Sequence, residues 1–340
     1  MRRIDKNKFG YNPGEGHYGY IPDEDAPEDA AAFDLLADAE RYNQDGQPPI
    51  RTWQSFEPCV LQGADRMDKI RAAGWVTLWW EIARFNKVPL WKSDQGQIGS
   101  CAGWSAANGY MQTVLYQMML GAFQFVPINP LAMWARTKNW KTSGGQSMSA
   151  VMTGGNGYGN YPVALVGDYT TQFTDAVKNK IVAANAEAMR HQFGACRLPG
   201  RGQGQLAHQI VLCLRAGMVV CIGNNIRVLG SETDGNGMRV AQFGARPNLV
   251  RNQWRHATTL DAYIEVNGTK YLHWTNSWGD RYVQKDRLNS PKSGCWMTDK
   301  QLAQFLGGRY VDAFCIDRAE APIDTNRDSR PATFNLIYPS

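Results

Sequence analysis

The chain has 340 residues, 43% of them hydrophobic and 20% charged. That balance excludes an intrinsically disordered or collagen-like chain and allows one large or two ordinary globular domains. The formal net charge is +5, yet residues 9–40 hold nine acidic side chains and no Lys or Arg, which leaves +14 on the remainder.

An acidic N-terminal stretch beside a basic body predicts an arm that stays attached and lies across that body; a solvated acidic helix face is the plainer alternative. Within it, AAAFDLLADAERY predicts a helix over 30–42, followed by a loop around 46–49. Residues 71–190 read mostly as helix. The apolar spacing of Met111, Val114, Leu115, Met118 and Met119 predicts a buried helix following Cys101, and shorter helices are expected over 130–140 and 175–191. Between those two, GGQSMSAVMTGGNGYGN reads as a mobile glycine-rich loop, and the Trp-rich stretch 75–91 as core packing.

From about residue 200 the pattern changes. A short helix is expected over 206–216 and a strand over 218–222, and then ATTLDAYIEV and KYLHWTNSW show strand patterning around an Asn267-Gly268 turn, the strongest hairpin signal in the chain. The expectation is therefore an α+β protein: an N-terminal extension over 1–70, a helical lobe over about 71–199, an antiparallel β-rich lobe over about 200–318 with a cleft between the lobes, and a polar tail over 319–340.

No apolar run approaches the roughly 18 residues of a membrane span. The opening MRRIDKNKFGYNPGEG has basic residues without the apolar block of a secretory signal. A soluble, cytoplasmic protein without a membrane partner is expected. The basic remainder carries no recognised nucleic-acid motif, so nucleic acid is not an expected partner either. The seven cysteines (Cys59, Cys101, Cys196, Cys213, Cys221, Cys295 and Cys315) form no C-x-x-C pair, and no His stands at zinc-finger spacing. Free, mostly buried thiols are expected, with no metal and no cofactor.

Glycine and serine precede Cys101 and a helical run follows it. That places the thiol at a helix N-terminus, where unpaired N–H groups and the helix dipole favour a thiolate nucleophile. A buried structural cysteine at a helix start is an equal alternative for this segment alone. His256 and Asn276 lie on the two arms of the expected hairpin, whose pairing makes them neighbours. An Asn accepting from one imidazole nitrogen fixes the tautomer and aims the other nitrogen at a thiol, and Trp278 can cover that bond. His17, His191 and His208 read as ordinary core or surface histidines. His273 falls on the opposite strand face from the triad.

The order Q-G-x-x-G-S-C, then H-A, then N-S-W-G with a downstream G-C-W resembles the papain-like family of cysteine peptidases (the C1 peptidases) over about residues 71–315. The resemblance implies a papain-like two-lobed fold and a thiol protease acting on protein or peptide substrates. It implies Cys101 as nucleophile, His256 as general base and acid, and Asn276 as the orienting residue. Gln95 and the Cys101 N–H would form the oxyanion hole, and Gly144-Gly145 the substrate-binding glycine pair. The sequence departs from the family in two places. Ala102 and Gly103 stand where an aromatic residue usually follows the nucleophile, and Ile98 and Thr142 or Ser143 occupy the positions of the usual disulfide. A divergent bacterial or phage-type member is the expected class. Residues 1–70 are then a prosegment or an assembly arm. The alternative from another functional class is a papain-fold structural component of a virus or phage particle, pinned to neighbouring subunits through residues 1–70.

Overall fold

A computed structural model of the chain describes residues 20–21, 50–51 and 53–321, except 73–76, 97, 121–122, 142–143, 168–172, 201–202, 244–254, 285 and 309. The expected acidic helix over 30–42, the loop at 46–49 and the tail beyond 321 lie outside the described residues.

The helices in chain order are α1 (Trp53–Ala72), α2 (Trp79–Phe85), α3 (Cys101–Leu120), α4 (Pro130–Thr137), α5 (Met148–Gly157), α6 (Val163–Val166), α7 (Asp175–Ala183), α8 (Asn185–Ala188), α9 (Gln203–Arg215) and α10 (Asp299–Phe305). The strands are β1 (Tyr20–Ile21), β2 (Ile50–Arg51), β3 (Ile128–Asn129), β4 (Gln146–Ser147), β5 (Tyr161–Pro162), β6 (Phe193–Arg197), β7 (Val219–Asn224), β8 (Val228–Thr233), β9 (Arg239–Phe243), β10 (His256–Val266), β11 (Thr269–Thr275), β12 (Gly294–Thr298) and β13 (Val311–Ala319). Nine strands form one sheet in the order β2-β6-β13-β7-β10-β11-β12-β9-β8. Its pairs are antiparallel except β2 with β6 and β12 with β9. The expected α+β plan is present, with helices dominating up to residue 191 and an antiparallel-rich sheet following.

Alternation along the strands divides the core into two layers. Val219, Cys221, Phe314 and Ile316 face α3 and the other helices of the first half. Val220, Ile222, Ala313 and Cys315 face α1, α9 and α10. Both faces of β7 are thus covered, and all six of its residues are buried. The Asn267-Gly268 turn joins β10 to β11 with φ of +49° and +75°, the left-handed pair that a two-residue hairpin turn requires.

Two expectations from the sequence are corrected. The glycine-rich stretch is not a mobile loop: it forms β4 and then α5, capped by Ser147, whose Oγ accepts from the Ala150 N–H at 3.3 Å. Its glycines are there for close packing. A Cβ on Gly154 would lie 2.2 Å from Thr137 Cγ2, and one on Gly155 would lie 2.1 Å from the Phe193 ring. The single helix expected over 175–191 is instead α7, α8 and a 3-10 turn at Met189–His191. Helix α1 carries Pro58 and Gly63, yet Trp53, Phe56, Val60, Ala64 and Met67 are buried, and Gly63 allows an approach to Ala216 against α9. The division expected at residue 70 falls inside this helix.

Candidate active site

Cys101 is the first residue of α3, a helix whose described side chains are almost all buried. The residues that follow it at helical spacing tie this helix to β10. Ser105 Oγ donates to Thr258 O at 2.6 Å, Gln112 Nε2 to Asp261 Oδ2 at 2.7 Å, and Tyr116 Oη to Asp261 O at 2.7 Å. Positions 101, 105, 112 and 116 share one stripe of the helix, so these bonds face Cys101 toward the strand that starts with His256. At the top of that seam the Ala257 N–H donates to Cys101 Sγ at 3.3 Å. Gly103 permits the neighbouring packing, since a Cβ there would meet Trp134 Cβ at 2.6 Å and Pro130 O at 2.7 Å. The departure Ala102-Gly103 therefore goes with a close approach of α4 to the first turn of α3.

His256 Nε2 lies 2.6 Å from Asn276 Oδ1. The Ser277 N–H also donates to that oxygen, at 2.7 Å, so Oδ1 is the acceptor end of the amide and Nε2 carries the hydrogen. The tautomer is thereby set, and Nδ1 holds the lone pair. The Trp278 ring stacks on the imidazole with centroids 4.4 Å apart and planes 25° apart. Burial, helped by the Arg281 charge and opposed by the Asn276 bond, pushes the His256 pKa down to about 4. At neutral pH the ring is the free base, the form that can take a proton from a thiol.

Gln95 belongs to the same assembly. Ser277 Oγ donates to Gln95 Oε1 at 2.5 Å, and the Gln95 N–H donates to Ser277 O at 2.7 Å. With Oε1 held, the donor end of the amide turns toward the loop that leads into Cys101, where Nε2 donates to Ile98 O at 3.0 Å. The Gly279 N–H bonds to Ser93 O at 2.7 Å, so the 93–95 and 277–279 segments are laced together. Ser277 is the link that the sequence reading left without a role: one residue contacts both the Asn276 carbonyl and the Gln95 amide.

Gly144 and Gly145 lie apart from this cluster, at the start of β4. Gly144 has φ +71°, a Cβ there would meet nothing within 4 Å, and its carbonyl accepts from Lys138 Nζ at 2.8 Å. The Lys138 ammonium lies over the Trp134 ring that packs on Gly103, which connects the pair to the first turn of α3. The next two residues, Gln146 and Ser147, pair in parallel with Tyr20 and Ile21. Cys101 and His256 have no solvent exposure.

His273 and His191 are engaged elsewhere. His273 Nδ1 sits 2.7 Å from Asp261 Oδ1, between the Trp80 and Trp296 rings. His191 bonds Tyr110 Oη at 3.0 Å. Trp79 and Trp80 are buried, as core packing requires. All seven cysteines are free, and six are buried, with Cys59 exposed. Burial pushes the Cys221 thiol up to about 12 and raises Cys295 and Cys315 as well, so these behave as small apolar residues. Among the described residues no group of three or more His, Cys, Asp or Glu could hold a metal, and no helix is long and apolar enough to cross a membrane.

No protein-family model matches the sequence, and no curated protein sequence matches it. Solved structures do resemble it. Xylellain, a cysteine protease from Xylella fastidiosa, is 14% identical at a TM-score of 0.47, over 69% of this chain and 84% of that one. Digestive procathepsin L 3 of Tenebrio molitor larval midgut is 15% identical at 0.44, over 66% of this chain and 65% of its own length. The Carica candamarcensis cysteine protease CMS1MS2, in complex with E-64, is 13% identical at 0.43, over 68% and 94%. The chain's own helices and antiparallel-rich sheet give the α+β plan expected from its sequence.

Proposed function

We propose that the chain is a papain-like cysteine peptidase that hydrolyses peptide bonds through a Cys101 thioester. The observation that carries the reading is the fixed tautomer of His256. Asn276 occupies Nε2 at 2.6 Å, while the N–H of Ala257, the residue after His256, donates to Cys101 Sγ at 3.3 Å. In the proposed cycle His256 Nδ1 takes the thiol proton as Sγ attacks the substrate carbonyl carbon. The oxyanion accepts from the Gln95 Nε2 and Cys101 N–H groups. As the C–N bond breaks, His256 passes its proton to the leaving amine, and water then cleaves the thioester with His256 as base.

The resting chain is read as a masked form. Both reacting side chains are buried, and the 20–21 backbone runs along Gln146–Ser147, directly after the Gly144-Gly145 pair that a substrate would use. The stretch before β2 is accordingly proposed as a prosegment, with β1 running beside the glycine pair, while α1 belongs to the body of the fold. The test is cleavage of a peptide library by the full chain, before and after limited trimming of its N-terminal part, with Cys101→Ser as control. Cleavage that rises on trimming and is lost in Cys101→Ser supports both statements. Cleavage by neither form sinks the peptidase reading and favours the structural role in an assembly.

A further inference from the structure

One charged side chain at the edge of this site enters the scheme above only through its charge on His256. Arg281 is exposed and makes no ion pair among the described residues. Its guanidinium carbon lies 5.0 Å from the centre of the Trp278 ring, the same ring that stacks on His256. The placement is built into the backbone: the Arg281 N–H closes a tight turn onto Gly279 O at 2.9 Å, and Gly279 has φ +69°. A Cβ on Gly279 would lie 3.1 Å from Asp94 Oδ2, so the turn also packs on the 93–95 segment. The other charges at this edge are Lys92 and Asp94, paired with each other at 3.4 Å, and the exposed Asp280, which makes no ion pair with Arg281.

His256 must reach the leaving amine, so the part of a substrate C-terminal to the broken bond has to pass the imidazole and the indole stacked on it. A guanidinium lying on an indole keeps its fork of N–H donors at the ring's edge, where it can take a carboxylate through two parallel bonds. We propose that Arg281 is a specificity residue that binds a carboxylate on the leaving-group side of the scissile bond. That carboxylate is either an Asp or Glu side chain immediately after the bond or the free C-terminus of a short substrate. The proposal rests on the peptidase reading above.

The test uses the full-length chain and matched peptides carrying Glu, Gln or Lys after the cleaved bond, each as free acid and as C-terminal amide. Charge-assisted pairing of this kind predicts about tenfold higher kcat/KM for Glu over Gln in the amides, or for free acid over amide, and the two arms tell the sources apart. Arg281→Gln should level that ratio, and Arg281→Glu should turn it toward Lys. A second readout needs no catalysis: fluorescence titration of Cys101→Ala and of Cys101→Ala with Arg281→Gln, using the Glu and Gln peptides. No cleavage by the chain either before or after N-terminal trimming, together with an Arg281-dependent binding preference, would sink the peptidase reading and keep the carboxylate site. Cleavage without either preference, or with one that survives Arg281→Gln, would overturn the role of Arg281. Absence of both cleavage and preferential binding overturns it as well.

Discussion

Two imidazoles lie buried on the paired strands β10 and β11, and their partners set them apart. His273 Nδ1 is bonded to the side chain of Asp261, which also accepts from Gln112 Nε2 and from Thr275 Oγ1 at 2.6 Å. Two tryptophans enclose it. His256 is held by the neutral Asn276 amide, which orients the ring without adding a charge. One centre saturates its carboxylate with donors and joins α3, β10 and β11. The other is fixed by an amide oxygen, and the N–H of the residue after it, Ala257, bonds Cys101 Sγ. The comparison teaches that burial alone does not mark a reacting histidine; the chemistry of its partner does.

The largest effect that would break this contrast concerns His256. His256→Ala should lower kcat/KM by about 10³-fold or more, with a smaller loss of unfolding stability than truncation of His273. His273→Ala should do the reverse. It strands the Asp261 carboxylate and opens a gap between two indoles, at a cost of about 3–5 kcal/mol in urea unfolding, with kcat/KM of the folded protein changed far less.

The next effect follows from protonation. The His256 pKa is about 4 in the folded chain and ordinarily near 6.5. The unfolded state therefore binds more protons between those values. The stability that neutral His256 contributes is fully present above about pH 6.5 and is lost as pH falls toward 4. Its size is on the order of 3 kcal/mol, and the slope should flatten in His256→Gln, as measured by chemical unfolding across that range. The smallest effect is at Ser277. Ser277→Ala frees the Gln95 carbonyl and should lower kcat by about tenfold with little change in KM, because Gln95 acts on the oxyanion rather than on the bound substrate.

Much of the site was legible because its signals are local. The residues around Cys101 mark a helix start, Asn267-Gly268 marks the hairpin, and that hairpin brings His256 to Asn276. What was hidden depends on distant parts of the chain. Ala262 shares the α3-facing side with Asp261 because the β10 register shifts between Leu260 and Ala262, a bulge that turns both to the same face. No alternation rule reveals such a bulge. Helix α1 was missed because Pro58 and Gly63 argue against it locally, while burial of five apolar side chains outweighs them. Helix α5 was missed because its glycines fit Thr137 and Phe193, contacts that sequence spacing does not show. Ser277 stands inside a motif that was read, but its bond to Gln95 spans 182 positions.

The central claim is that Cys101 and His256 form a reacting pair, and mapping the site of modification by an epoxysuccinyl thiol-protease probe tests it most directly. The chain offers its own control, because Cys59 is exposed while Cys101 is buried. The account predicts, after N-terminal trimming, one probe per chain on Cys101, located by peptide mass spectrometry and lost in both Cys101→Ala and His256→Ala. Modification confined to Cys59, or labelling of Cys101 that persists in His256→Ala, would contradict it.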